Sequence, residues 1–177
     1  MYQVGAMVIY GGEGVCRVEA VGPLSMRGVK DSRLYYTLAP LYREGKIYTP
    51  VDTSVFMRPV LSRAEAEELV RTMPDIEAAH CTERNPRLLG AFYQDLIRSR
   101  SCVGMVQIIK AAHRKTQARR ARGSKPGQVD EKYLRRAEEL LYGELAVALE
   151  IPRDQVSGYI VRTVGEPRGR KDADVVS

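Results

Sequence analysis

Apolar and polar residues alternate at the start of the chain and later recur every three to four positions. Between Val4 and Val21, two apolar runs, Met7–Ile9 and Val15–Val21, flank Gly11-Gly12-Glu13-Gly14. Val and Ile suit a pleated, half-buried surface, and glycines reach backbone angles that strain other residues. From Val15 to Val21, Arg17 and Glu19 share one parity and Cys16, Val18 and Ala20 the other, which predicts a strand with its even face inward. Gly22-Pro23 is expected to end that strand, and Met26–Ser32 to form a loop. Residues 34–39, residues 46–49 before Pro50, and residues 55–60 read as three more strands, with a turn at Tyr42–Gly45. Five short strands with glycine turns predict a small β-barrel of the Tudor or SH3 type. A core of about 60 residues is marginal alone, so support from the rest of the chain is expected.

The period changes after Leu61. Ser62-Arg63-Ala64-Glu65 has the form of a capping box, and the helix it opens should stop near Thr72, before Pro74. Residues 74–84 read as a linker. Asn85-Pro86 marks a second start, with Leu89, Phe92, Tyr93, Leu96 and Ile97 on one face. Ser101 is placed to cap a third helix with Val103, Val106, Ile109 and His113 along its stripe, dissolving into Arg114–Arg122. Gly123–Gly127 is a breaker. A fourth helix near 129–149 carries Leu134, Ala137, Leu141, Leu145 and Ala148 on one side, and Pro152 opens a last short one with Val156, Ile160 and Val164. The fold class is therefore α+β: a Tudor/SH3-like module over residues 1–60, an all-α module of about five helices over 61–165, and a polar, disordered tail over 166–177.

Composition narrows the function. At 177 residues and 44% hydrophobic the chain can build a core. It has no apolar run of the ~20 residues a membrane-spanning helix needs, and its first residues lack a secretory signal. A cytoplasmic protein without a membrane partner is expected. Cys16, Cys81 and Cys102 form no CxxC, and His80 and His113 find no second ligand pair at helical spacing, so no metal or other cofactor is expected. The Gly11–Gly14 turn lacks the lysine and hydroxyl of a phosphate loop. No nucleophile–base pair stands out, and neither an enzyme nor a small-molecule substrate is predicted.

Charge adds the sharper signal. Between residues 110 and 136, ten Lys/Arg face only Asp130 and Glu131, a footprint suited to a polyanion. Arg114, Lys115, Arg119 and Arg120 fall within two helical turns, where guanidinium groups suit bidentate phosphate contact. A solvated helix end reads equally well, because cations sit favourably at helix C-termini. In the β-module, Tyr35, Tyr36, Tyr42 and Tyr48 either line a binding face or serve as core and rim, and an edge strand can add to a partner's sheet.

Val4-Gly5, Val8-Ile9-Tyr10, Gly14, Val18-Glu19-Ala20, Pro50 ending the strand begun at Lys46, and Gly143-Glu144-Leu145-Ala146 occur in one order across residues 2–149. On these residues the chain resembles the CarD/CdnL family of bacterial transcription regulators. The resemblance implies that the β-module docks on a lobe of the RNA polymerase β subunit, as a related module of the transcription-repair coupling factor does. It implies that the helical module contacts promoter DNA at the upstream edge of the bubble and stabilises the open complex by differential binding. Arginines that touch polymerase in some members fall here at Leu24 and Tyr48, which leaves Arg27, Lys46, Tyr48 and Thr49 as the implied contacts. Ala6 and Gly11 replace the family's acidic residue and proline. Many members place a tryptophan at the DNA fork; this chain has none, and Pro86 takes the aligned position. The implied DNA side comprises Asn85, Pro86, Arg87, Arg114, Lys115, Arg119, Arg120, Arg122, Lys125 and Lys132, acting on the phosphate backbone without base readout. Two alternatives stand beside this reading: a polymerase-interaction module without DNA activity, and a general nucleic-acid-binding protein.

Overall fold

The computed structural model describes residues 1–26 and 29–165. An antiparallel sheet is built from β1 (Met7–Tyr10), β2 (Gly14–Met26), β3 (Val29–Pro40), β4 (Ile47–Pro50) and β5 (Met57–Pro59), in the order β4-β3-β2-β1-β5. Five helices follow: α1 (Arg63–Thr72), α2 (Pro86–Arg98), α3 (Cys102–Ala121), α4 (Gln128–Leu149) and α5 (Val156–Gly165). This is the expected α+β class. Each half has its own apolar cluster, one around Val8, Cys16, Val18, Tyr36 and Leu38, the other around Val70, Tyr93, Ile108, Leu141 and Leu145.

The first hairpin pairs Val8 with Cys16 and Ile9 with Val15. Gly11 and Gly14 sit at φ +48° and +84°, the left-handed region that favours glycine. Cys16 and Val18 point into the sheet's core as their parity requires, but Ala20 is exposed. The cause is a register shift between Val18 and Ala20, which slips the alternation by one residue. Ile9 and Val15, on the opposite parity, are also buried, because α4 covers that face: Ile9 lines one cavity with Leu140 and Leu141, and Val15 another with Leu140 and Gly143. Gly22-Pro23 does not end β2. Pro23 pairs with Leu34 beside a second register shift, beyond the reach of β1, where a missing N–H is tolerated. β3 accordingly begins at Val29, so the 26–32 loop is shorter than its composition suggests.

Helix starts follow their caps. Ser62 and Glu65 form the full capping box of α1, and Asn85 Oδ1 accepts from the Arg87 and Leu88 amides at the start of α2. Ser101 occupies the cap position of α3 without a side-chain bond. The buried side of α3 is Met105, Val106, Ile108, Ala111 and Ala112, whereas Val103 and His113 are exposed. The predicted stripe is thus rotated, since Gly104 packs against the Leu96 carbonyl and draws that side inward. The helix also continues through Arg114–Arg120 to Ala121 instead of dissolving there. On α4, Ala137, Leu141, Leu145 and Ala148 are buried, with Leu134 half-buried. On α5, Val156 is buried, while Val164 is exposed. No helix among the described residues is long and apolar enough to cross a membrane. The predicted tail, 166–177, lies outside the described residues.

Candidate nucleic-acid interface and docking face

Three helix ends converge at one end of the helical half. Gly90 on α2 lies against Tyr133 and Val129 on α4, and the Tyr93 and Tyr133 rings meet at 5.4 Å. One turn before Gly90, the start of α2 therefore brings Asn85, Pro86 and Arg87 beside the start of α4, which carries Lys132. α3 runs antiparallel to α4, from the Cys102–Glu144 contact at one end to Lys115–Asp130 at the other. Its C-terminus lands at the same place, with the Arg119 guanidinium carbon 3.6 Å from a Cβ built on Gly127.

Cations at this end divide into two groups. Arg87, Arg114, Arg119, Arg120, Arg122, Lys125 and Lys132 are exposed, and none has a carboxylate partner among the described residues. Lys115 differs: it is half-buried, 3.7 Å from Asp130 and 5.6 Å over the Tyr93 ring. Asp130 is 3% exposed and accepts a 2.7 Å hydrogen bond from the Tyr93 hydroxyl. Burial, then that bond, holds the Tyr93 phenol well above its usual range. Lys110 also turns inward, donating to the Met73 and Ile76 carbonyls at 2.6 Å each. Three of the ten cations between 110 and 136 thus support the fold instead of facing a ligand, the third being Arg136, which pairs with Glu139 at 3.4 Å and donates to the Gly12 carbonyl. Asn85 is spent on its cap through Oδ1, and Pro86 is exposed at the first helical position. Leu88, absent from the sequence-based set, is 53% exposed among these cations. Its sequence signal is its place off the Leu89/Tyr93/Ile97 stripe.

The second surface is on the sheet. Tyr48 is 48% exposed on β4 and, with Val21, Pro23, Leu24, Tyr35 and Thr37, lines a shallow groove of about 230 Å³. Lys46 pairs with Glu19 at 3.0 Å and Arg17 with the same carboxylate at 3.4 Å; the hydrogen bond from Lys46 chiefly lowers the Glu19 pKa. Thr49 is 3% exposed, so its side chain does not form part of the surface; opposite Tyr36 in the β3–β4 register, it faces the core. Arg27 lies outside the described residues. The four tyrosines divide by role: Tyr36 is in the core, Tyr42 reaches α4, and Tyr35 and Tyr48 flank the groove. β4 ends the sheet order, which offers an edge for strand addition.

A family model described as CarD-like/TRCF RID domain matches residues 2–61. This segment holds all five strands and stops one residue before the Ser62 cap. The sheet is a CarD-like/TRCF RID domain. A search among curated proteins returns no match. The RID domain is an RNA polymerase-interacting module, and the match, which spans residues 2–61, supports RNA polymerase as a partner of this part of the chain. The basic end lies on helices beyond the matched segment. Sequence reasoning misses the contacts that join the RID domain to those helices: Glu144 on α4 is 3% exposed and takes both Arg58 nitrogens, Nη1 at 2.5 Å and Nη2 at 2.8 Å. A glutamate on a long helix looks like a solvated charge in one dimension. The signal was its place in Gly143-Glu144-Leu145-Ala146, where neighbours on both sides are small or apolar.

Proposed function

We propose that this protein is a CarD-like transcription regulator that docks on a lobe of the RNA polymerase β subunit through the RID domain. Its helical module, residues 61–165, then holds promoter DNA by phosphate contacts from the basic end and stabilises the open complex. No reaction is involved: the protein acts in the cytoplasm by binding the open state more tightly than the closed one. The observation that carries this reading is one chain joining an RID domain to a surface of exposed cations that lack carboxylate partners. Such a surface exchanges its counterions for DNA phosphates, which gives affinity without sequence readout. Tyr48 and the groove beside it, with Lys46 on the rim, supply the docking face.

The test has two arms. The protein should co-purify with core polymerase, and Tyr48→Ala should weaken that association; failure to bind the isolated β lobe overturns the docking arm. An Arg114/Arg119/Arg120/Lys125 quadruple alanine variant should keep polymerase binding and shorten open-complex lifetime. The second reading, a polymerase module without DNA activity, is favoured by Pro86 standing where family members carry the fork tryptophan. An unchanged lifetime in the quadruple variant would establish it.

A further inference from the structure

We infer that Glu144 is the positioning residue of this protein: with Arg58 it locks the RID sheet and the helices into one rigid body, fixing the angle between docking face and basic end. Each oxygen of its carboxylate is doubly occupied. Oε1 accepts from Arg58 Nη1 at 2.5 Å and from the Leu61 backbone N–H at 3.0 Å. Oε2 accepts from Arg58 Nη2 at 2.8 Å and from the Cys102 thiol at 3.3 Å. One side chain on α4 therefore holds β5, the connection out of the sheet, and the first residue of α3. Burial and the Glu144 charge push the Cys102 thiol up to about 12, which keeps it a neutral donor.

Neighbouring residues are arranged around the same joint. Arg58 Nη2 also donates to the Arg100 carbonyl at 3.2 Å. Arg100 itself is held at φ +51°, a position after a helix where glycine is usual. Its side chain explains the choice: Nε donates to the Gly11 carbonyl at 3.2 Å and the guanidinium lies 4.8 Å over the Phe56 ring. It thereby grips the first hairpin turn and the approach to β5. Beside Glu144, Gly143 admits Tyr42, whose hydroxyl donates to the Gly143 carbonyl at 2.9 Å. Arg153 covers the other side of that ring at 4.4 Å.

A buried ion pair is a poor source of net stability, but it is directional, and removing one partner strands a charge that needs water. Here water reaches Glu144 when the sheet swings away from α4, so losing Arg58 should free the joint while each half keeps its own apolar core. The functional consequence rests on the proposed function. With both surfaces engaged at once, the second contact is intramolecular, and a stiff joint raises its effective concentration.

The test is backbone ¹⁵N relaxation of the full chain, which needs no partner. Amides of β1–β5 and α2–α4 should report one rotational correlation time in the wild type. In Arg58→Met the sheet should tumble faster than the helices, with chemical shifts inside each half retained. Arg58→Lys, which keeps the charge, should restore part of the coupling. If Arg58→Met does not fold, Glu144→Gln, uncharged and of the same shape, carries the measurement. Two correlation times in the wild type, or one in both Arg58→Met and Glu144→Gln, would overturn the lock. In transcription assays, Arg58→Met should bind core polymerase and free duplex within about twofold of wild type. It should need roughly tenfold more protein to stabilise the open complex, the loss expected when a two-site contact loses its stiffness. An unchanged requirement would overturn the coupling role, whereas a wild type that ignores polymerase would remove the proposed function and leave the relaxation result standing.

Discussion

A carboxylate as enclosed as Asp130 must find partners: the Tyr93 hydroxyl donates to it, and the Lys115 ammonium stands 3.7 Å away as its counter-charge. Tyr93→Phe removes the 2.7 Å bond without changing the ring's bulk, so the cost is that of a buried acceptor left short of a partner, about 1–3 kcal/mol. A denaturant melt measures it, and a loss within error would mean that Lys115 alone satisfies Asp130. The same tyrosine carries a pH dependence. Its folded pKa is raised by burial and then by Asp130, so its contribution is intact below the unfolded value of about 10 and is lost as pH climbs above it. The wild type should therefore lose stability between pH 10 and 12 faster than Tyr93→Phe, by up to about 1.4 kcal/mol per pH unit. Parallel curves for the two proteins would show that Tyr93 ionises as freely folded as unfolded. None of this is legible in one dimension. Lys110 and Lys115 look no different from Arg114 and Arg119 along the chain, and only the packing of α3 against the segment after α1 and against α4 separates supporting cations from exposed ones.

At the level of elements, the caps and breakers are the legible part. Ser62 with Glu65 and Asn85 with Pro86 start their helices where local chemistry demands, because a cap depends on residues three positions apart. The strand ends are less legible: β2 passes through Gly22-Pro23 by means of register shifts that depend on its partner β3. Alternation fails at Ala20 for the same reason. Gly143 shows how far an element's composition can answer to another element. Alanine there would improve α4 by up to about 1 kcal/mol on propensity alone. However, its Cβ would stand 2.8 Å from the Tyr42 ring, which Arg153 and the Gly143 carbonyl hold in place. Gly143→Ala should therefore destabilise the wild type but be neutral or stabilising in a Tyr42→Ala background. A thermal-melt double-mutant cycle checks this, and additive effects would mean that Tyr42 moves aside without cost.

Over the whole molecule, the formal charge of +6 says little until its placement is known. Sequence identifies the run between 110 and 136, but the approach of Arg87 to that run depends on Gly90 packing against Tyr133. The exposed cations at this end are the ones able to release counterions from DNA. Each phosphate they neutralise contributes about 0.9 to the slope of log K against log salt. Replacing Arg114, Arg119, Arg120 and Lys125 by alanine should thus flatten that slope by roughly 3–4 for duplex DNA without polymerase, at about 0.9 per contact. Lys115→Ala should act differently, lowering thermal stability through Asp130 while changing the slope little. Fluorescence anisotropy with one duplex across a salt series separates the two effects, because a folding defect lowers the bound fraction at every salt concentration, whereas a lost phosphate contact tilts the line. A quadruple variant with an undiminished slope would place the phosphate contacts away from the junction of α2, α3 and α4.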